Sequence, residues 1–358
     1  MKGYQFEDTQ GTFHLKKAEN ISYLYFPIAG EAGLKSSFTP NLGGDAKIDQ
    51  NTFLLEPVSA ENLVNNRNSR NFWCNVKGIG SWSLTGHSAE ELSKKFTEMQ
   101  DDSEVTAGFM WQKTTRESKK YQLRGEILSF IPVDKNVEIM LVTITNTGRM
   151  AQTVTPTAAI PLYGRSADNI RDHRHVTSLL HRIETTDTGV LVTPTLSFDE
   201  RGHQVNHMTY YCVGWSGNGE KPVDFYPTAE DFVGEGGNFE RPYAIVKNAE
   251  GVKAGTKIEG LEAVGGLHFS EITLEPEEEC SYLIFTGITE DIQEIRNLSK
   301  TYTTREKVLE ELEKTKAYWQ EKVNVAYHTG DSDFNQFMHW VSFQPILRRI
   351  YGCSFLPH

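Results

Sequence analysis

The densest grouping of side chains with chemical potential is Gly164-Arg165-Ser166-Ala167-Asp168-Asn169-Ile170-Arg171-Asp172-His173-Arg174-His175. Its guanidinium, imidazole, hydroxyl and amide groups are the donors that hold anionic oxygens. The formal net charge of the chain is -12, so an anionic ligand approaching it needs local positive charge to offset the repulsion. The plainer reading of the same residues is a solvated loop between strands. A second grouping is Gln344, Arg348 and Arg349. Here Arg348 can favour the dipole at a helix C-terminus, and Gln344 can satisfy a buried backbone group.

Other chemistries are disfavoured. The acidic balance lacks the basic face that nucleic-acid phosphates require and argues against an anionic membrane surface. No apolar run approaches the roughly 20 residues of a membrane span. Met1-Lys2-Gly3-Tyr4-Gln5-Phe6-Glu7-Asp8 contains no apolar segment of signal-peptide type. Cys74, Cys212, Cys280 and Cys353 form no CxxC pattern and read as reduced thiols of a cytoplasmic protein. No GxGxxG or P-loop stands in its proper context, so no metal or organic cofactor is expected. Of the tryptophans, Trp73, Trp82, Trp111 and Trp215 lie in strand-like surroundings and read as sheet packing rather than sugar platforms.

The elements that must position these groups are mostly strands. Val137 to Asn146, Tyr121 to Phe130, Gly189 to Pro194, His207 to Trp215, Leu267 to Leu274 and Cys280 to Gly287 are rich in β-branched and aromatic residues and bounded by turn formers. No helices alternate with them, so the pairing is predicted antiparallel, as in a sandwich. A short helix is predicted at Ser88 to Phe96, with Ser88 and Glu91 fitting a capping box. Gly33, Gly43 and Gly44 mark turns or close approaches. The texture changes near Glu290. A helix opening at Thr304 places Val308, Leu312 and Trp319 at helical spacing. Gly330-Asp331-Ser332-Asp333 then supplies N-caps for a second helix with Phe334, Phe337, Met338 and Val341 on one face. Pro345 should kink that helix or end its first half.

Two stretches carry a family resemblance. One is Tyr23-Leu24-Tyr25-Phe26-Pro27-Ile28-Ala29-Gly30-Glu31-Ala32-Gly33-Leu34, with Thr39-Pro40-Asn41-Leu42-Gly43-Gly44-Asp45, Asp49 to Leu55 and Asn71-Phe72-Trp73-Cys74 after it. The other is Phe337-Met338-His339-Trp340-Val341-Ser342-Phe343-Gln344 with Arg348 to His358. Together they resemble the glycoside hydrolase family 94 phosphorylases. The resemblance implies a mainly β fold: an antiparallel β-supersandwich over 1–290, a helical linker over 291–330, and the first helix of an (α/α)6 catalytic barrel over 331–358. It implies inverting phosphorolysis of a β-linked gluco-disaccharide, laminaribiose before cellobiose or 1,2-β-oligoglucans, giving α-glucose 1-phosphate and glucose. Inorganic phosphate is then the co-substrate.

The resemblance further implies a homodimer in which a sandwich loop of one subunit carries an arginine into its neighbour's active site. Arg171 or Arg174 is the counterpart, and Gln344, Arg348, Phe355 and His358 are candidate substrate contacts on or beyond the first barrel helix. No catalytic residue is assigned, because the general-acid aspartate is expected beyond His358, in a longer parent chain that also covers the helix's apolar face. Replacing Arg171 or Arg174 by alanine is expected to leave stability almost unchanged, as for a surface loop. The competing readings are a non-catalytic carbohydrate-binding or assembly sandwich and a related (α/α)6 enzyme such as a maltose phosphorylase.

Overall fold

The structure is a computed structural model that describes residues 3–21, 24–58, 67–199 and 202–352. Its centre is the strand Val137–Asn146, buried along its whole length. It pairs antiparallel with Leu123–Phe130 on one edge and with Glu279–Thr289 on the other. These strands lie mid-way in an 11-stranded sheet that runs from Tyr4–Phe6 at one edge to Lys257–Glu259 at the other.

The continuous apolar run in this strand follows from having both faces covered. Met140, Val142 and Ile144 point into the main core, where they meet Val154, Ala158 and Ile160 of the strand Gln152–Leu162. That strand belongs to a second, six-stranded sheet. Ile139 and Leu141 alternate to the other face and pack with Ile295, Leu298, Val308 and Leu312. Those four come from the helices Ile292–Thr301 and Arg305–Lys322. Each aliphatic side chain so buried contributes about 1.5–3 kcal/mol. The helices thus close one face of the sandwich rather than trailing from it.

The antiparallel sandwich expected from the strand pattern is present, and the named pairs in all its sheets are antiparallel. Two details differ. The run Leu267 to Leu274 divides into Ala263–His268 and Ile272–Leu274, which pair with successive parts of Gln152–Leu162. A four-stranded sheet formed by Phe26–Ala29, Lys35–Phe38, Ala46–Asp49 and Thr52–Leu55 was not foreseen.

A buried ion pair joins that small sheet to the large one. Arg70 and Glu138 are both fully buried, and the guanidinium spans both carboxylate oxygens, with Nη2 to Oε2 at 3.0 Å. Ser36 Oγ donates to Glu138 Oε2 at 2.6 Å. The remaining Arg70 donors reach the carbonyls of Gly44 and Asp45 at 2.9 and 3.2 Å. Gly44 has φ of +152°, and a Cβ there would lie 1.9 Å from the Ser37 carbonyl oxygen. Only glycine lets the backbone pass this close to the Ser37 carbonyl.

The helix Ser332–Tyr351 begins as expected: Asp331 caps it by accepting from Phe334 N–H at 3.0 Å. It runs through Pro345 without ending. Its most buried side chains are Trp340, Phe343 and Leu347, not the expected stripe; Phe334 and Phe337 stay 46% and 37% exposed. Trp340 Nε1 donates to the Gly11 carbonyl at 2.7 Å, and the Phe343 ring stacks on Phe109 with centroids 4.3 Å apart. The sandwich therefore covers one apolar side of this helix. Ser88 caps Ala89–Ser93, but Glu91 does not close a reciprocal box. Its carboxylate accepts from Asp101 N–H at 2.7 Å instead. Among the described residues no helix is long and apolar enough to cross a membrane. Cys74, Cys212 and Cys280 are free, and burial pushes the Cys280 thiol up to about 12.

Arg70→Ala should destabilise the chain by about 3–5 kcal/mol, because it strands a buried carboxylate. The Arg70→Ala, Glu138→Ala double variant should lose clearly less than the sum of the single losses. Urea unfolding of the four proteins measures both.

Candidate functional site

The segment singled out by its cations is built onto the strand Thr52–Leu55. Tyr163 and Gly164 N–H groups donate to the carbonyls of Leu54 and Phe53, and Phe53 N–H donates back to Arg165 O at 3.0 Å. Gly164, with φ of +60°, turns the chain there. The segment then coils into a 3-10 turn, Ala167–Arg171, and a single α-helical turn, Arg174–Thr177. Ser166 Oγ donates to Asn169 Oδ1 at 3.2 Å and Asn169 Nδ2 to Asp172 Oδ2 at 3.0 Å, which ties the first turn internally. It is a structured element rather than an open loop.

The two candidate arginines have different surroundings. Arg171 is exposed, as are His173 and His175, whose rings lie 5.6 Å apart. Arg174 turns inward and holds both oxygens of Glu56, with Nη1 to Oε2 at 2.8 Å. Glu56 is only 2% exposed. The expectation that both arginines are dispensable for stability therefore fails for Arg174, whose removal leaves a buried carboxylate without its partner.

Beside this pair lies a small cavity lined by Glu56, Arg67, Tyr163, Arg165, Arg174 and Glu262, among others. Arg67 Nη1 donates to Glu262 Oε2 at 2.9 Å. Arg165 is 6% exposed and stands over the Tyr163 ring, 5.2 Å from its centroid. Its Nε, the Tyr163 hydroxyl and Glu262 Oε1 are buried without hydrogen-bond partners. His181 neighbours the same wall. Burial, then the Arg165 charge, lowers its pKa to about 3, so it is neutral and its Nδ1 lies 3.2 Å from the Leu261 carbonyl. Composition pointed to the segment as a whole, but nothing in the spacing singled out Arg165, Tyr163, Glu56 or Glu262 as a group.

The other candidates lie on the terminal helix. Arg348 is exposed in its last turn, and Gly352 N–H closes that turn on Arg348 O at 2.9 Å. Gln344 is half-buried. Its Nε2 reaches the Trp340 carbonyl at 3.4 Å, and its Oε1 has no partner. Arg349 is committed to Glu31, at 2.6 and 2.9 Å. Phe355 and His358 lie outside the described residues. Among the described residues no hydrogen bond, ion pair or ring contact joins Gln344 or Arg348 to Arg171 or Arg174 within one chain. Among the described residues no group of three or more His, Cys, Asp or Glu side chains is placed to hold a metal ion.

Residues 55–305 match the family model for the glycosyl hydrolase 94 supersandwich domain. No curated protein matches the chain by sequence. Among solved structures, a protein described as a kojibiose phosphorylase from the human microbiome superposes with a TM-score of 0.48 at 10% identity, covering 96% of this chain and 42% of that one. A bacterial glucoamylase complexed with acarbose gives 0.47 at 9% identity, over 95% of this chain and 41% of that one. The family GH92 α-mannosidase of Bacteroides thetaiotaomicron gives 0.44 at 11% identity, over 92% and 38%. The chain spans less than half the length of each of these structures.

Arg174→Ala should destabilise the fold by about 1–3 kcal/mol, whereas Arg171→Ala should change it by less than about 0.5 kcal/mol. Thermal or urea unfolding separates the two. His181 generates a pH dependence. Its folded pKa lies below the unfolded value, so the unfolded chain binds more protons between the two, and stability falls as pH drops from about 6.5 toward 3. A His181→Asn variant should show a shallower acid arm; an unchanged pH profile would remove His181 from the account.

Proposed function

The chain belongs to the glycosyl hydrolase 94 supersandwich family, a family of carbohydrate-active enzymes, and on that premise we propose that it is the sandwich portion of an inverting disaccharide phosphorylase. The observation that carries this reading is the family match over residues 55–305. The substrate proposed is a β-linked gluco-disaccharide, laminaribiose first, with inorganic phosphate as co-substrate.

The chemistry needs one carboxylic acid to protonate the glycosidic oxygen while phosphate attacks the anomeric carbon from the opposite face. The C1–O bond to the leaving glucose breaks, the new bond joins C1 to a phosphate oxygen, and the configuration inverts. Phosphate is already an anion at neutral pH, so no carboxylate base is required, unlike an inverting hydrolase that must activate water. The acid is assigned to the barrel that the family resemblance implies. The sandwich contributes cationic groups. In the proposed homodimer, the exposed Arg171, with Arg174 fixed behind it on Glu56, faces the neighbouring barrel, where positive charge offsets the acidic chain.

The whole protein should release glucose 1-phosphate from laminaribiose only when phosphate is present, with cellobiose and sophorose tested beside it. Glucose release at a comparable rate without phosphate would identify a hydrolase and overturn the reading. Arg171→Ala should lower this activity at unchanged stability, and mixing it with a catalytically dead subunit should restore part of it, since one composite site of the heterodimer is intact.

A further inference from the structure

The cavity behind Arg174 holds an unbalanced charge. Among the described residues its walls carry three guanidinium groups, from Arg67, Arg165 and Arg174, and two carboxylates, from Glu56 and Glu262. Arg174 takes both oxygens of Glu56, and Arg67 takes Oε2 of Glu262. Arg165 is left over. It is more than nine-tenths buried, and among the described residues its guanidinium makes no ion pair and no hydrogen bond. The Tyr163 hydroxyl, equally buried and also unpartnered, lines the same space.

Two kinds of occupant satisfy stranded donors. A water molecule would restore hydrogen bonds to Arg165 Nε, Tyr163 Oη and Glu262 Oε1 together, but it leaves the guanidinium charge unmatched in a desolvated setting. An anion matches the charge as well as the donors, and buried charges persist when paired. The free oxygen of Glu262 opposes it, yet the summed charge of the described wall residues stays at one positive unit. Size narrows the choice. The cavity is about 20 Å³, where a single water needs roughly 10–15 Å³ on the same measure. A halide fits that space.

We propose that this cavity is a binding site for one small inorganic anion of halide size, held by the Arg165 guanidinium and the Tyr163 hydroxyl. The site joins the end of the strand Gln152–Leu162 to the turn that carries Arg171, so its occupant braces that turn from behind. The proposal stands apart from the phosphorylase reading, because its test measures binding and not turnover.

The full chain is unfolded thermally at constant ionic strength while chloride replaces gluconate. The midpoint should rise saturably with chloride, by about 2 °C once chloride exceeds its dissociation constant several-fold. Strongly excluded anions stabilise proteins non-specifically, so a gain from chloride over the bulkier gluconate points to a specific site. Arg165→Met should abolish the chloride dependence. Should that variant fail to fold, Tyr163→Phe should weaken the apparent chloride affinity several-fold. Bromide-soaked crystals should show an anomalous peak within hydrogen-bonding distance of Arg165 Nε. Identical midpoints in chloride and gluconate, or a bromide-free cavity holding only water, would overturn the proposal.

Discussion

The pairing of Arg70 with Glu138 is the constraint on which the arrangement of sheets depends. Neither side chain touches solvent, so each needs the other to remain charged inside the protein. Glu138 lies in the central strand of the large sheet, Arg70 immediately precedes the strand Asn71–Val76 of the second sheet, and Ser36 with the Gly44 and Asp45 carbonyls brings in the small sheet. One guanidinium thereby fixes three layers against one another. Gly44 answers to a different contact, because a Cβ there would collide with the Ser37 backbone of the neighbouring strand. Apolar burial supplies most of the stability, but it is non-directional; the ion pair specifies which strands meet.

From that fixed core the candidate site follows in two steps. The small sheet ends at Leu55, and its last strand is bonded to the backbone of residues 163–165. Glu56, the next residue, is then placed to hold Arg174. The same helix-and-sandwich contact that seats Trp340 on Gly11 also brings Tyr318 and Arg349 onto Glu31, so the linker helix, the terminal helix and the first family-like stretch share one anchor.

What was legible in the sequence depended on how locally it was determined. The strand Val137–Asn146 could be bounded to the residue because both of its faces are apolar and Asn146 and Gly148 end it. The helix starts at Ala89 and Ser332 could be placed because capping is a contact between near neighbours. The small sheet was invisible because Lys35–Phe38 is short and buries a serine, Ser36, beside Phe38. The terminal helix is apolar on more than one side, so periodicity alone could not choose between the Phe334 stripe and the Trp340 stripe; the sandwich made that choice. In the candidate site, composition flagged the cations, but the Arg174–Glu56 pair spans 118 residues of sequence. No spacing rule reaches so far, and the half-buried Arg174 and the exposed Arg171 look alike until the fold separates them.

The proposed reaction moves a glucosyl group onto phosphate with inversion. The configuration of the first-formed sugar phosphate, followed by proton NMR as the whole protein consumes laminaribiose and phosphate, tests it most directly. Inversion at a β-linkage predicts that the α-anomer of glucose 1-phosphate appears first and alone. Initial formation of the β-anomer would demand a double displacement and contradict the single-step mechanism.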